Sequence, residues 1–326
     1  MRLSSIEGKN DLMPVLVLLA VALTSGAAAG FVVWRYPRIA QPSATPALDV
    51  ARKAGETVGR HPRLRAVLDA RLDPAVATGL ALTVAFALGI GGGLLLGLLA
   101  YLVRANSHLI GIDNSVAKWG HRQASPMSTH VLNGITQLGS IYTVIALCVV
   151  LAVAETIRER SVWVTPFIVS VLSGEEILTT TVKQLADRVR PTFNPAAATL
   201  GPSFPSGHSA TAAAFYAAAA LLLGRYRSRP TRAVLTGLAV GIAIAVAASR
   251  VLLDVHWLSD VIAGLALGWA WFAICGIAFG GRILRFGAAA EQVARTADAK
   301  TAIGDRPGPQ AAQPTAEASR APTRES

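Results

Sequence analysis

Three short polar stretches in a very apolar chain carry side chains that could do chemistry, at residues 183–191, 205–208 and 249–260. The first and third supply lysine and arginine, and a planar guanidinium can donate to two phosphate oxygens at once. The second begins a predicted helix, where free backbone N–H groups and the helix dipole favour an anion. We therefore interpret the three stretches as a phosphate site with these candidate binding residues: Lys183, Arg190, Ser206, Gly207 and Arg250.

The candidate catalytic groups are His208, His256 and Asp260. Asp260 follows His256 by four positions, so on one helix both side chains would project from the same face. The carboxylate could hold one imidazole nitrogen as N–H and leave the other as a nucleophilic lone pair. His256 would then attack phosphorus and form a phosphohistidine, while His208 would protonate the leaving oxygen and later activate water. Taken alone, the His256–Asp260 spacing would better suit an interfacial ion pair, but the neighbouring phosphate-type residues favour catalysis.

The elements that must position these groups are membrane helices, because the 326 residues are 52% hydrophobic and only 15% charged. Such a composition is too apolar for ordinary soluble domains. Seven nearly charge-free runs approach the roughly 20 residues that carry a helix across a bilayer. They lie at 13–34, 78–103, 129–154, 161–182, 208–224, 233–250 and 257–280. In lipid every backbone polar group must be satisfied within its own segment, so the sequence predicts an all-α, polytopic membrane helical bundle.

The distribution of basic residues predicts the orientation of these helices. Seven spans would place residues 35–77, 155–160, 225–232 and 282–326 on one side, and these hold 21 of the 30 lysine and arginine residues. The short 225–232 loop carries four arginines, and short loops follow the positive-inside rule best. That side is therefore predicted to be cytoplasmic, which places the three polar stretches at the extracytoplasmic face of the cell membrane. The net charge of +11 then reflects topology and anionic headgroups, and we expect no nucleic-acid partner.

The same runs divide the chain into four parts: an N-terminal transmembrane helix at 1–34, a basic cytoplasmic linker at 35–77, a six-helix core at 78–281 and a cytoplasmic tail at 282–326. The tail is rich in Ala, Pro, Thr and Arg without an apolar period, so it is predicted to be disordered. Residues 1–30 could also be a secretory signal, since residues 25–30 are rich in the small side chains that are typical of a signal-peptide cleavage site. A retained helix is favoured, because Glu7 and Asp11 interrupt the basic region that a signal needs and cleavage would leave the linker outside.

The cysteines and the other histidines give little sign of chemistry. Cys148 and Cys275 fall inside apolar runs, where a small buried hydrophobe is the expected role. His61 and His121 are predicted to be solvated loop residues. Cys and His do not cluster at metal-ligand spacing in the sequence, so we expect no metal and no cofactor.

The three polar stretches together resemble the signature of the type 2 phosphatidic acid phosphatase family, whose superfamily includes the vanadium haloperoxidases. The matching motifs are Lys183-x6-Arg190-Pro191, Pro205-Ser206-Gly207-His208 and Ser249-Arg250-x5-His256-x3-Asp260. Their ordered occurrence is far more specific than any one motif, and the resemblance covers the six-helix core. It implies an all-helical bundle, metal-independent hydrolysis of lipid phosphates, and the site roles given above. The helix at 13–34, the linker and the tail are not part of the family pattern.

The resemblance predicts a membrane lipid phosphatase whose partners are a lipid phosphate substrate and membrane lipids; the oligomeric state is not predicted. An outward-facing site suits an undecaprenyl-type diphosphate, while phosphatidic acid and phosphatidylglycerophosphate are alternative substrates. A lipid phosphotransferase, which would pass the phosphoryl group to another acceptor, is a further alternative. The seven spans argue against a soluble haloperoxidase. A non-enzymatic transporter would need charges deep in its helices, and Glu175 and Glu176 are the acidic candidates, which we expect to line the site or pair with it.

Overall fold

The computed structural model describes residues 11–36, 107–159 and 162–283 of the chain. Within these ranges the fold is all-α, as predicted, and contains no strand. The helices described there are α1 (Met13–Arg35), α2 (Ser107–Gln123), α3 (Pro126–Gln137), α4 (Ile141–Glu159), α5 (Val164–Ala186), α6 (Gly207–Gly224), α7 (Arg229–Leu252) and α8 (Leu258–Ile283). A short 3₁₀ helix at Pro195–Leu200 lies between α5 and α6. The predicted run at 78–103 and nearly all of the predicted linker and tail lie outside the described residues.

Five of the described helices are long and apolar enough to cross a membrane: α1, α4, α6, α7 and α8. The 23-residue α5 is as long as α1 but carries Glu175, Glu176 and Lys183. At about 1.5 Å per residue α5 is about 34 Å long, which is enough to cross a hydrocarbon core of about 30 Å. The predicted multi-pass architecture is therefore confirmed for the part of the chain that the structure describes.

The predicted run at 129–154 is wrong as a single helix. α3 and α4 are separate helices, and the chain turns between them at residues 138–140. An added β-carbon at Gly139 would stand 2.5 Å from Cγ1 of Val246 and 2.9 Å from the carbonyl oxygen of His208. The chain breaks here because the turn packs directly against α6 and α7. The run carries no charged residue, and the absence of charge alone gives no sign of such a contact.

α6 lies at the centre of the bundle and packs against α5, α7 and α8. Four of its alanines are fully buried: Ala210, Ala212, Ala213 and Ala214. α8 approaches α6 so closely that a β-carbon at Gly264 would collide with the carbonyl oxygen of Ser206, and one at Gly268 with that of Ala210. Small residues allow such close approach of two membrane helices. The contact brings the start of α8 against the start of α6.

α1, the helix that is additional to the predicted core, packs along α7 through glycines. A β-carbon at Gly26 would stand 2.6 Å from the carbonyl oxygen of Gly237, and one at Gly30 would stand 2.9 Å from that of Ala233. The first turns of α1 join a hydrophobic cluster with α3 and α7. α1 is therefore packed against the core by backbone contact as well as by apolar side chains.

A buried ion-pair cluster lies at the end of the bundle where α6 ends. Arg225, the residue after α6, lies 3.0 Å from one carboxylate oxygen of Glu155 in α4, and Arg158 lies 3.1 Å from the other. The side chains of Arg225 and Glu155 are each 2% exposed. The first arginine of the predicted cytoplasmic loop is therefore buried. The 18 residues of α6 place this cluster about 27 Å from the start of that helix.

Candidate active site

The three polar stretches meet at one end of the bundle, where α5 and α7 end and α6 and α8 begin. Backbone hydrogen bonds tie these helix ends together. The N–H of Ser206 donates to the carbonyl oxygen of Asp260 at 3.0 Å, and the N–H of His256 donates to that of Arg250 at 3.3 Å. Residues from three distant parts of the sequence therefore lie side by side.

His256 is buried in the loop between α7 and α8, and its two ring nitrogens face different partners. Nδ1 lies 3.4 Å from Oδ2 of Asp260, and Nε2 lies 3.3 Å from Nη1 of Arg190. Because a guanidinium can only donate, Nε2 carries the lone pair and Nδ1 carries the proton. Burial lowers the pKa of His256 to about 4, against the opposing effect of Asp260. The imidazole is therefore neutral near neutral pH and presents its lone pair on Nε2.

The prediction that His256 and Asp260 share one helix face is wrong, because α8 begins only at Leu258. Oδ2 of Asp260 accepts a hydrogen bond from the N–H of Trp257 at 2.9 Å. This carboxylate therefore caps the start of the helix, and His256 lies before the capped end. The two side chains still meet, because the same carboxylate oxygen faces both the backbone N–H and the imidazole.

The guanidinium of Arg190 is held in place by the backbone. Four carbonyl oxygens accept hydrogen bonds from it at 2.7 to 3.4 Å: those of Val255, Gly201, Pro202 and Leu200. Burial lowers the pKa of Arg190 from its ordinary value, while the charge of Asp260 raises it. Since an arginine stays protonated in proteins, a positive charge is fixed beside His256.

Lys183 and the start of α6 lie next to these groups. A β-carbon at Gly207, the first residue of α6, would stand 3.5 Å from Nζ of Lys183. The side chain of Ser206 is fully buried and does not cap the helix. The first N–H groups of a helix have no partner within it and attract anions. This end of α6 therefore combines helix N–H groups with a lysine ammonium group.

His208 and Arg250 complete the group. His208 lies in the first turn of α6, close enough to His256 and to three cationic side chains for electrostatic interaction. Nη1 of Arg250 donates to Thr136 at 3.1 Å, while its Nε is buried without a hydrogen-bond partner among the residues that the structure describes. The structure thus brings all eight residues predicted for the site to one place.

Sequence interpretation missed an ion-pair network behind Asp260. Arg188 donates from Nη2 to Asp113 at 2.7 Å and from Nη1 to Asp260. Asp113 is buried in α2, a helix to which no chemistry was assigned. The sequence gives one indication of this network, which is that Arg188 lies within the first polar stretch. Its role could not be predicted because Asp113 is 75 positions away.

The two glutamates of α5 have different surroundings. Glu175 is fully buried and accepts hydrogen bonds from Thr179 at 2.7 Å and from Thr211 of α6 at 3.0 Å. Glu176 is exposed in the part of the protein that the structure describes. Only Glu175 therefore faces α6, about one turn further into the bundle than His208.

The prediction that His121 is a solvated loop residue is wrong in part. His121 lies in the last turn of α2, with Nδ1 3.1 Å from Oδ2 of Asp254 and a side chain that is 52% exposed. Its ring stacks on Phe193 with the centroids 5.2 Å apart. Asp254 is two positions before His256, so this contact anchors the loop that carries the histidine to α2.

Cys148 and Cys275 are buried free thiols within the hydrophobic core, in line with their predicted role. Over the described ranges, no group of three or more His, Cys, Asp or Glu residues is arranged to hold a metal ion.

Known proteins are similar to this chain in sequence and architecture. The family model of the PAP2 superfamily matches residues 144–283. Phosphatidylglycerophosphatase B of Bacillus subtilis is 31% identical over 161 residues, which are 48% of this chain and 77% of that protein. The chain belongs to the PAP2 superfamily. α1, α2 and α3 precede the residues that match the PAP2 family model.

Two further comparisons extend the PAP2 assignment. Lipid A 1-phosphatase of Rhizobium johnstonii is 45% identical over 85 residues, which are 24% of this chain and 31% of that protein. A crystal structure of a transmembrane PAP2-type phosphatidylglycerolphosphate phosphatase from Bacillus subtilis is 27% identical, with a TM-score of 0.54 over 60% of this chain and 98% of that one. This PAP2 protein is a multi-pass membrane lipid phosphatase, which confirms the family and the enzyme class predicted from the sequence.

Proposed function

We propose that this PAP2 protein hydrolyses a lipid phosphate or diphosphate through a phosphohistidine on His256. The observation that carries the proposal is the lone pair on Nε2 of a neutral, buried imidazole, which faces the fixed charge of Arg190. A phosphoryl group placed between them would direct its oxygens to the cations and its phosphorus to Nε2. Phosphoryl transfer needs chiefly this positioning and charge stabilisation.

In the first step Nε2 of His256 attacks phosphorus, and the bond from phosphorus to the lipid oxygen breaks. His208 donates a proton to the leaving oxygen, so the lipid departs as an alcohol or, from a diphosphate, as a monophosphate. Asp260 stabilises the positive charge that the phosphorylated imidazole acquires, since its carboxylate faces the Nδ1 proton. The five binding residues predicted from the sequence, Lys183, Arg190, Ser206, Gly207 and Arg250, hold the phosphoryl oxygens.

In the second step His208, now without its proton, removes a proton from water. The resulting hydroxide attacks phosphorus, the bond from phosphorus to His256 breaks, and inorganic phosphate leaves. The same pair of histidines thereby returns to its starting protonation state. Transfer to an alcohol in place of water would give the phosphotransferase alternative.

Metal independence is part of this proposal. Lys183, Arg190 and Arg250 supply three positive charges, and the start of α6 adds its N–H groups. Together these can offset the charge that spreads over the phosphoryl oxygens in the transition state. A divalent cation would have no evident further task in this step.

Two substrate classes have specific support. An extracytoplasmic site, as the basic loop at 225–232 predicts, favours an undecaprenyl-type diphosphate. Similarity to a phosphatidylglycerophosphatase B and a lipid A 1-phosphatase favours a lipid phosphate monoester. We put the polyprenyl diphosphate first, because the sidedness argument concerns this chain itself, and phosphatidylglycerophosphate second.

We expect the purified protein to release phosphate from lipid phosphates equally well with and without EDTA, and vanadate to inhibit it. Vanadate can mimic the five-coordinate phosphorus of the transition state, with Nε2 of His256 in the position of the attacking atom. Phosphate release from a panel of polyprenyl diphosphate, phosphatidylglycerophosphate, phosphatidic acid and lipid A measures both points and ranks the substrates. Activity that EDTA removes and magnesium restores would contradict the metal-free mechanism.

The site is expected to face the extracytoplasmic side. In a background of Cys148→Ser and Cys275→Ser, a cysteine at the exposed Leu200 should react with a membrane-impermeant maleimide in intact cells. A matched cysteine at Ser228, beyond the other end of α6, should react only after permeabilisation. The reverse labelling pattern would turn the site to the cytoplasm and remove the reason for preferring a polyprenyl diphosphate.

A further inference from the structure

A row of alternating charges leads from the proposed nucleophile to α2. Oδ1 of Asp260 accepts a hydrogen bond from Arg188, whose other terminal nitrogen donates to Asp113 at 2.7 Å. Ser259 joins Arg188 and Asp113, since its N–H donates to Asp113 at 2.9 Å and its hydroxyl accepts from Arg188 at 2.7 Å. The guanidinium also lies over the ring of Trp257, 5.6 Å from its centroid. All of these groups lie next to the start of α8.

The three charged side chains in this row interact strongly because they are buried. The side chains of Asp260, Arg188 and Asp113 are 0%, 13% and 3% exposed. Charges that are shielded from water interact more strongly than exposed ones, because the surrounding dielectric is lower. Each charge in the row therefore acts on the next one, and the effect reaches the imidazole beyond Asp260.

The two oxygens of Asp260 have separate partners. Oδ2 faces Nδ1 of His256 and the N–H of Trp257, whereas Oδ1 faces Arg188. Removal of the guanidinium would leave Oδ1 without this donor, so the carboxylate would be held through Oδ2 by the N–H of Trp257. The Oδ2 atom that orients the imidazole would then be held less firmly.

We propose that Arg188, held by Asp113, is a positioning residue that acts on His256 through Asp260. It fixes the carboxylate and withdraws part of its negative charge, which keeps the imidazole neutral and its Nε2 lone pair available. The inference rests on the proposed phosphohistidine mechanism. Arg188 is not a catalytic residue, because its contacts are with Asp113, Ser259, Asp260 and the Trp257 ring and none is with the imidazole.

Several charged groups act on the imidazole directly. Asp260 from α8 raises its proton affinity, while Arg190 from the 187–206 segment and Arg250 from α7 lower it. His208 of α6 is also within electrostatic range. Arg188 and Asp113 are reached through Asp260. A neutral Arg188 would therefore increase the effect of the carboxylate, whereas a neutral Asp113 would decrease it.

The test uses two charge-neutralising variants, Arg188→Gln and Asp113→Asn, the second of which also keeps the side-chain shape. We expect Arg188→Gln to lower kcat by about tenfold to a hundredfold and to move the acid limb of the kcat/KM profile upwards by about one pH unit. Asp113→Asn should move the limb in the opposite direction. Arg188→Lys keeps the charge without the forked geometry, so it should keep the wild-type limb and a reduced kcat.

A merely structural link between α2 and α8 predicts a different result. All three variants would then lose activity in proportion to their loss of thermal stability, with the wild-type acid limb unchanged, and that outcome overturns the proposal. The matched control is Arg229→Gln, because Arg229 is exposed and is the first residue of α7, at the end opposite to Arg250. This variant should change neither quantity. If Arg188→Gln does not fold, the opposite shift in Asp113→Asn decides by itself.

Trapping of phosphohistidine tests the proposed mechanism and the positioning role of Arg188 separately. If wild-type protein forms no acid-labile phosphohistidine on brief incubation with labelled substrate, both the proposed mechanism and the positioning role of Arg188 are wrong. If wild type forms it and the variants form it with the same rate and pH dependence, only the positioning role is wrong. Slower formation in Arg188→Gln with a shifted pH dependence is the expected result.

Discussion

His256→Ala is expected to reduce phosphate release by about four orders of magnitude or more, because the variant lacks the proposed nucleophile. The protein should still insert and fold. The ring contacts only Arg190 and Asp260 among the interactions described, and both have other partners that hold them. Phosphate release from a lipid phosphate in detergent micelles and trapping of a radiolabelled phosphoenzyme measure the two consequences.

His130→Ala is the matched control, since His130 is an exposed histidine of α3. It should keep wild-type turnover and form the labelled intermediate. Full activity in His256→Ala would end the histidine mechanism. Loss of activity with an intermediate still trapped on the variant would assign the nucleophile to another residue.

Gly264→Ala and Gly268→Ala are expected to destabilise the protein by about 1 to 3 kcal/mol each, although alanine favours helix formation. At both positions the new methyl group would meet a backbone carbonyl of α6, which cannot move aside as a flexible side chain can. Gly264→Ala should lower activity more than Gly268→Ala, because its methyl group would push on the carbonyl of Ser206 next to the proposed phosphate-binding end of α6.

Gly276→Ala provides the control within the same helix, because a β-carbon there would have no neighbour within 4 Å among the described residues. It should leave thermal unfolding and kcat unchanged or raise stability slightly. Thermal unfolding in detergent and kcat are the two measurements. Equal thermal stability and equal kcat in all three variants would show that the close contact of α6 and α8 does not contribute to stability.

The types of the site residues could be predicted from the sequence because their chemistry is local. A guanidinium binds phosphate and a helix start attracts anions wherever they occur, so Arg190 and Gly207 could be selected without a structure. The helix directions were enough to bring the three stretches to one end of the bundle. The all-α membrane fold followed from long apolar runs, which is the strongest signal a sequence carries.

What the sequence could not predict depends on contacts between distant residues. The turn at 138–140 packs on α6 and α7, yet the run around it is free of charged residues and by itself predicts one continuous helix. The cap by Asp260 moves His256 out of the helix, and spacing alone suggested the opposite. Asp113 belongs to a polar helix and lies 75 positions away from Arg188, its partner near the site. Each of these features depends on tertiary packing, which the periodicity of apolar residues in the sequence does not reveal.

The glycine contacts between α6 and α8 also determine which parts of the site can move. The carbonyl oxygens of Ser206 and Ala210 lie against backbone, so the first turns of α6 have no room to slide along α8. Motion that admits a lipid headgroup is therefore not expected along this contact. The N–H groups at the start of α6 are preorganised: they need no reorientation as charge develops on the phosphoryl oxygens. In the proposed mechanism, part of the barrier to phosphoryl transfer would thus be lowered by packing that is completed when the helices dock during folding.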